Sequence, residues 1–173
     1  MNFLKKNKLV LSAIAIIVAI VALDLLTKVL AENYLLDRVT IVEGWMSLVF
    51  ATNGGASFSF LEGSVGSNIV FFVVTVVGLP IMMAVVYFNR KNHWFGNLGL
   101  VFMIGGTLGN AFDRAFLGDG FFNGRVRDFI AVKGFAVFNV ADIFLVCGVI
   151  MFIFALLFLD KDALLVKKDK KDE

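Results

Sequence analysis

Cysteine, histidine and proline each occur once in this 173-residue sequence, and charged side chains make up only 17% of it. Cys147 sits alone inside an apolar run, which leaves neither a disulfide framework nor a cysteine metal site. A single histidine, His93, removes His-rich metal coordination and leaves acid-base chemistry to carboxylates. Soluble domains carry about 25% charged residues, so a chain that is 60% hydrophobic belongs in a bilayer. Its net charge of +2 lacks the cationic surplus of a phosphate-binding surface, and nucleic acid is not expected as a partner.

Long apolar runs are what the sequence has in abundance. Four reach the length of about 20 residues that a helix needs to cross a hydrocarbon core: Leu9 to Leu30, Asn68 to Phe88, Phe95 to Phe112 and Val140 to Leu159. Lipid leaves an open chain no geometry other than the helix, so each is expected to be one. Pro80 in the second run is tolerable there, because neighbouring helices can satisfy the carbonyl it frees. Ten of the 16 basic residues flank the runs on one side: Lys5, Lys6, Lys8, Arg90, Lys91, Lys161, Lys167, Lys168, Lys170 and Lys171. The positive-inside rule makes that side cytoplasmic. Both termini are then inside, and two longer loops, 31–67 and 113–138, face outward. The basic start and Leu9 to Ala22 are not read as a cleavable signal peptide, because the apolar run continues through Asp24 and Lys28 without a small-x-small cleavage site.

The outer loops have a different texture. VTIVEGWMSLVFATNGGASFSF, Val39 to Phe60, mixes β-branched and aromatic residues with a Gly-Gly pair. It predicts a hairpin or small sheet on the membrane surface, with Trp45 at headgroup level. With no repeat, low-complexity tract or linker, residues 1–173 read as a single domain.

An Asp at the centre of a span costs roughly 2.5–3.5 kcal/mol on insertion scales, so ionisable groups inside spans come first. Asp24 has Lys28 at i+4 on the same helix face, an orientation that favours an ion pair. The pair reads as a helix-end anchor or as support for a site, with a catalytic role as the alternative. Asp142 lies one turn into the fourth run with Asn139 at i−3, so the two side chains converge near the outer surface. An isolated FNVAD would be an Asn N-cap with an Asp complementing the helix dipole, and that reading stands beside a functional one. GGTLGNAFDR, Gly105 to Arg114, closes the third run. Its Gly105, Gly106 and Gly109 permit close approach of another helix, while Asn110, Asp113 and Arg114 share a polar face. A packing seam ending in an Asp113–Arg114 pair is the plain alternative. Asp128, in RVRDF of the second outer loop, is flanked by Val126, Phe129 and Ile130, and apolar surroundings raise a carboxyl pKa. Asn53, ahead of Gly54 and Gly55, is a hairpin-turn residue, a site residue, or both. Asp37 and Asp119 read as solvated, and His93 falls on the cytoplasmic side.

Five blocks occur in order: DLLTK (Asp24 to Lys28), NGGASF (Asn53 to Phe58), GGTLGNAFDR, VRDF (Val126 to Phe129) and FNVAD (Phe138 to Asp142). With them the chain resembles the lipoprotein signal peptidase family, also called signal peptidase II. The resemblance implies an all-α membrane fold of four transmembrane helices, with a small extracytoplasmic β-sheet and a surface loop or helix. It implies an aspartic endopeptidase that removes the signal peptide from diacylglyceryl-modified prolipoproteins, on the N-terminal side of the lipidated cysteine. Asp128 and Asp142 would be its catalytic pair. Asn53, Asn110, Arg114 and Asn139 would line the substrate site, with Asp24, Lys28 and Asp113 in support. No metal or other cofactor is expected. The expected partners are prolipoprotein signal peptides and membrane lipids, and the expected state is a monomer in the bacterial cytoplasmic membrane with its active site at the extracytoplasmic surface. In one departure, the segment between Arg114 and Asp128, AFLGDGFFNGRVR, is several residues longer than is usual in the family. The competing classes are a proton- or ion-coupled transporter using Asp24, Asp142 and Lys28 as a relay, and a scaffold whose glycines only pack helices.

Overall fold

The computed structural model describes residues 8–54, 65–88, 94–118 and 122–159. The apolar runs form helices α1 (Lys8–Tyr34), α2 (Val65–Phe88), α3 (Trp94–Phe116) and α4 (Val140–Phe154). A π-helical turn, Ala155–Leu159, prolongs α4. All four helices are long and apolar enough to cross a membrane, and α2 runs through Pro80 without interruption. Three helices extend further than their apolar runs predict, α2 by starting at Val65 rather than at Asn68. α1 continues past Leu30 to Tyr34, and α3 past Phe112 to Phe116. Of the polar residues that weaken the hydropathy signal there, Asp113 is buried and paired with Lys28 and Arg127, and the half-exposed Glu32 also pairs with Arg127.

Half of the α3 span is buried and none of α2's, and α1, α2 and α4 all pack on α3. Glycine makes so crowded a position possible. A Cβ on Gly99 of α3 would stand 2.7 Å from the Gly148 carbonyl of α4, and one on Gly106 would collide with the Ala141 carbonyl. The small-residue spacing of the third run therefore brings two helix backbones together.

Strands β1 (Val39–Val42), β2 (Met46–Asn53) and β3 (Val126–Val132) form an antiparallel sheet in the order β1-β2-β3. The β1–β2 hairpin turns at Gly44, whose φ of 69° is a conformation glycine adopts without steric cost. The turn is therefore not at Asn53, which ends β2 opposite Val126. Asp128, expected in a loop, lies in β3 opposite Ala51. Phe129 and Ile130 are buried with Ala31, and Leu35, Met46, Leu48, Phe138 and Val140 pack against them. This cluster seats the sheet on the last turn of α1 and the entry to α4. A register shift between Leu48 and Ala51 of β2 falls beside Asp128, the kind of irregularity that re-aims side chains next to sites.

Among the described residues no further helix accompanies the sheet. Residues 55–58 of the NGGASF block, Asp119, His93 and every basic flank used for orientation except Lys8 lie outside the described residues.

Candidate active site

Asp24, Lys28 and Glu32 recur every four residues along one face of α1. To that face α3 brings Asp113 and β3 brings Arg127. The Lys28 ammonium lies 2.7 Å from Asp24 Oδ2 and 3.4 Å from Asp113 Oδ2. The other Asp24 oxygen accepts the Ala141 backbone N–H at 2.9 Å. Arg127 holds Asp113 by its backbone N–H at 3.0 Å, Nε at 3.3 Å and Nη2 at 2.8 Å. Its Nη1 lies 2.9 Å from Glu32 Oε2. Asp24, Lys28 and Asp113 are fully buried, where an unpaired charge is costly and a charge-assisted hydrogen bond is strong. The network ties α1, α3, β3 and α4 together, and the last three also carry the polar groups discussed next.

Asn139 is the N-cap of α4, with a capping box: its Oδ1 accepts the Asp142 N–H at 3.0 Å, and Asp142 Oδ2 accepts the Asn139 N–H at 3.1 Å. The cap does more than start the helix. Asn139 Nδ2 donates to Asp128 Oδ1 at 2.6 Å, to Asn110 Oδ1 at 3.0 Å and to the Arg127 carbonyl at 3.3 Å. Asn110 Nδ2 donates to Asp142 Oδ1 at 2.7 Å, and its Oδ1 also accepts from Lys28 at 2.9 Å. Two carboxylates from separate elements are thus joined through two amides, and Lys28 connects them to the charge network. Asn53 adds a side-chain hydrogen bond to Asp128. Arg114 is not paired with Asp113, whose cations are Lys28 and Arg127. Its guanidinium lies 3.9 Å from the centre of the Phe71 ring, a cation–π contact, within the fields of Asp142 and Asp128.

Burial pushes the Asp128 carboxyl up to about 6, and the Asp142 charge adds to the rise, while hydrogen bonds from Asn53 and Asn139 and the Lys28 charge oppose it. A carboxyl near that value holds a proton long enough to donate it at near-neutral pH. The arrangement contains no Ser-His or Cys-His pair. Among the described residues no group of three His, Cys, Asp or Glu side chains is arranged to hold a metal ion.

Asp24, Lys28, Asn53, Asn110, Asp113, Asp128, Asn139 and Asp142 converge in one connected assembly, with Arg114 beside it. Sequence reasoning missed Arg127 and Glu32. The i+4 spacing of Glu32 from Lys28 was a usable signal for the second. Arg127, inside the VRDF block, was visible only as a neighbour of Asp128.

Residues 16–158 match the family described as Signal peptidase (SPase) II. The chain belongs to the signal peptidase II family. Among its relatives, the lipoprotein signal peptidase of Streptomyces coelicolor is 36% identical over 86% of this chain and 71% of its own length. That of Caldicellulosiruptor bescii is 33% identical over 88% of this chain and 95% of its own. A bacterial membrane enzyme solved by the in meso method at 2.3 Å superposes with a TM-score of 0.71 at 30% identity, covering 94% of each chain. All five blocks carrying the resemblance lie within the residues matched to signal peptidase II. A family of bacterial membrane peptidases and four membrane-length helices make this chain a membrane peptidase.

Proposed function

We propose that Asp128 and Asp142 are the pair with which this signal peptidase II removes the signal peptide from prolipoproteins, cutting on the N-terminal side of a diacylglyceryl-modified cysteine. The observation that carries the assignment is the shared amide bridge, Asn139 to Asp128 at 2.6 Å and Asn110 to Asp142 at 2.7 Å. The bridge fixes the two carboxyls relative to one another, as a general acid and a general base acting on one water require.

The donors are unequal. Asp142 accepts an Asn110 N–H and the Asn139 backbone N–H at the N-terminus of α4, where the helix dipole favours negative charge. Asp128 is 2% exposed and has no cation bonded to it among the described residues. Asp142 is therefore the base and Asp128 the acid. Asp142 takes a proton from water as the water oxygen attacks the scissile carbonyl, and Asp128 gives its proton to the carbonyl oxygen. When the C–N bond breaks, the proton on Asp142 passes to the departing amine. The reforming carbonyl returns a proton to Asp128. Arg114 and Asn53, at the margins of the pair, are the groups that position the substrate backbone or its lipid.

The basic flanks support a topology with both termini in the cytoplasm and this assembly at the extracytoplasmic surface. A lipidated cysteine with its acyl chains in the outer leaflet then presents its peptide bond at the level of the helix ends, and a monomer contains every group required. No observation favours the transporter, because the carboxylates gather at one end of the bundle. The test is incubation of the purified enzyme with a prolipoprotein peptide, with and without diacylglycerol on its cysteine. Cleavage at the lipidated cysteine with little turnover of the unlipidated peptide supports the reading, and equal rates contradict it.

A further inference from the structure

The sheet carries a second polar feature, on the hairpin side of the strands that hold Asn53 and Asp128. A cleft of about 470 Å³ is lined by Arg38, Thr40, Trp45, Ser47 and Lys133 among others, and none of its lining residues is acidic. The pairing of Thr40 with Ser47 and of Ser47 with Ala131 sets the two hydroxyl residues in one cross-strand row. Arg38 Nη1 donates to Ser47 Oγ at 2.7 Å, which steadies the guanidinium over this row and, among the described residues, leaves its other N–H groups to a ligand. Among the described residues neither Arg38 nor Lys133 has an ion-pair partner.

Besides the exposed acidic residues Asp37 and Glu43, large apolar side chains stand open near these two cations. Leu36, Trp45 and Phe135 are 87%, 57% and 77% exposed. Leu36 stands two residues before Arg38, and Phe135 two after Lys133. Large apolar side chains left open beside cations are unusual in water but suit the membrane interface, where aromatic rings and basic side chains sit at headgroup level. The cleft is at that level by connectivity, since α1 ends at Tyr34, just before Leu36.

We infer that this cleft binds the phosphodiester headgroup of an anionic phospholipid of the surrounding leaflet. Two cations and two hydroxyls match the charge and acceptor oxygens of the phosphate. A zwitterionic lipid would also bring its ammonium into a cleft with no carboxylate to receive it, so a net anionic headgroup is preferred. The bound lipid holds β2 and β3 at a fixed depth, and with them Asn53 and Asp128. The inference does not depend on the peptidase chemistry.

The test places the purified full chain in nanodiscs of phosphatidylcholine with and without phosphatidylglycerol, and identifies the lipid retained on the released protein by native mass spectrometry. Phosphatidylglycerol is expected to be retained over phosphatidylcholine. K133Q should weaken its retention roughly fivefold, the equivalent of about 1 kcal/mol per cation at a membrane surface, and R38Q/K133Q more so. Neither residue touches the carboxylate pair, so both variants should match the parent enzyme's turnover in pure phosphatidylcholine, which also verifies that they are folded. Equal retention of the two lipids by the parent, unchanged phosphatidylglycerol retention by R38Q/K133Q, or displacement of the lipid by soluble glycerol 3-phosphate would each overturn the inference.

Discussion

The side chain of Asn139 donates to Asp128 Oδ1 at 2.6 Å while its own Oδ1 accepts the backbone N–H of Asp142 at 3.0 Å. One residue thus starts a membrane helix and joins the two carboxylates proposed to do the chemistry. Asn139→Ala removes both functions. Loss of the cap should cost about 1 kcal/mol of stability. Loss of the shared donor should lower turnover by about 10²-fold. Thermal unfolding in detergent and cleavage of a lipidated peptide measure the two separately, and a variant that lost only stability would make Asn139 a cap and nothing more.

Lys28 is buried between Asp24 and Asp113 and donates to Asn110. Lys28→Met leaves two buried carboxylates short of a counter-ion, which costs about 3–5 kcal/mol when one partner of a buried pair is removed. It also removes one of the two donors to Asn110 Oδ1 that keep the amide nitrogen turned towards Asp142. Adding Asp24→Asn should recover part of the stability without restoring turnover. Unfolding midpoints and single-turnover rates for the single and double variants check this. Full recovery of rate in the double variant would show that Lys28 acts through charge balance alone.

In the folded protein the Asp128 carboxyl is raised by burial from the usual 3.8 to about 6. The folded state therefore binds this proton more tightly than the unfolded chain does. The group's contribution to stability is most favourable below about pH 4 and declines as pH rises from about 4 to about 6. Above that window the buried charge costs on the order of 3 kcal/mol. Asp128→Asn should accordingly be more stable than the parent at neutral pH, by a margin that shrinks as the medium is acidified through the window. Unfolding of both proteins across that range is the check, and a pH-independent margin would assign the effect elsewhere.

A Cβ on Gly106 would meet the Ala141 backbone carbonyl, whereas one on Gly105 would meet only the Ile20 side chain, at 2.9 Å. A side chain can rotate and a helix backbone cannot. Gly106→Ala should therefore be the more destabilising change, by about 1–3 kcal/mol, and should also lower turnover, because it pushes α4 and Asp142 away from Asn110. Equal effects from the two substitutions would contradict the seam between α3 and α4.

The spans were legible because lipid exposure leaves a long apolar run, and their ends were not. Glu32 and Asp113 interrupt the hydropathy signal while lying in unbroken helix, both paired with Arg127 of a strand that is 95 residues from Glu32 and 14 from Asp113. The carboxylate pair was legible from its sequence blocks, and the N-cap role of Asn139 from FNVAD. That Asp128 lies in a strand was not, since its partners in β2 are distant in sequence and the Gly-Gly pair after Asn53 drew the hairpin turn away from Gly44. The Asp113–Arg114 pair looked natural from adjacency. Helix geometry instead turns Arg114 onto Phe71 and leaves Asp113 to Lys28 and Arg127.

The central claim is that Asp128 and Asp142 together form the catalytic pair, and cleavage of a diacylglyceryl-modified prolipoprotein peptide by Asp128→Asn and Asp142→Asn tests it most directly. Both variants should remain folded in the membrane and bind the peptide with little change, while turnover falls by about 10⁴-fold, the upper range for loss of acid-base catalysis. Turnover in either variant within about tenfold of the parent, a difference of only about 1.4 kcal/mol in the barrier, would remove that residue from the catalytic pair.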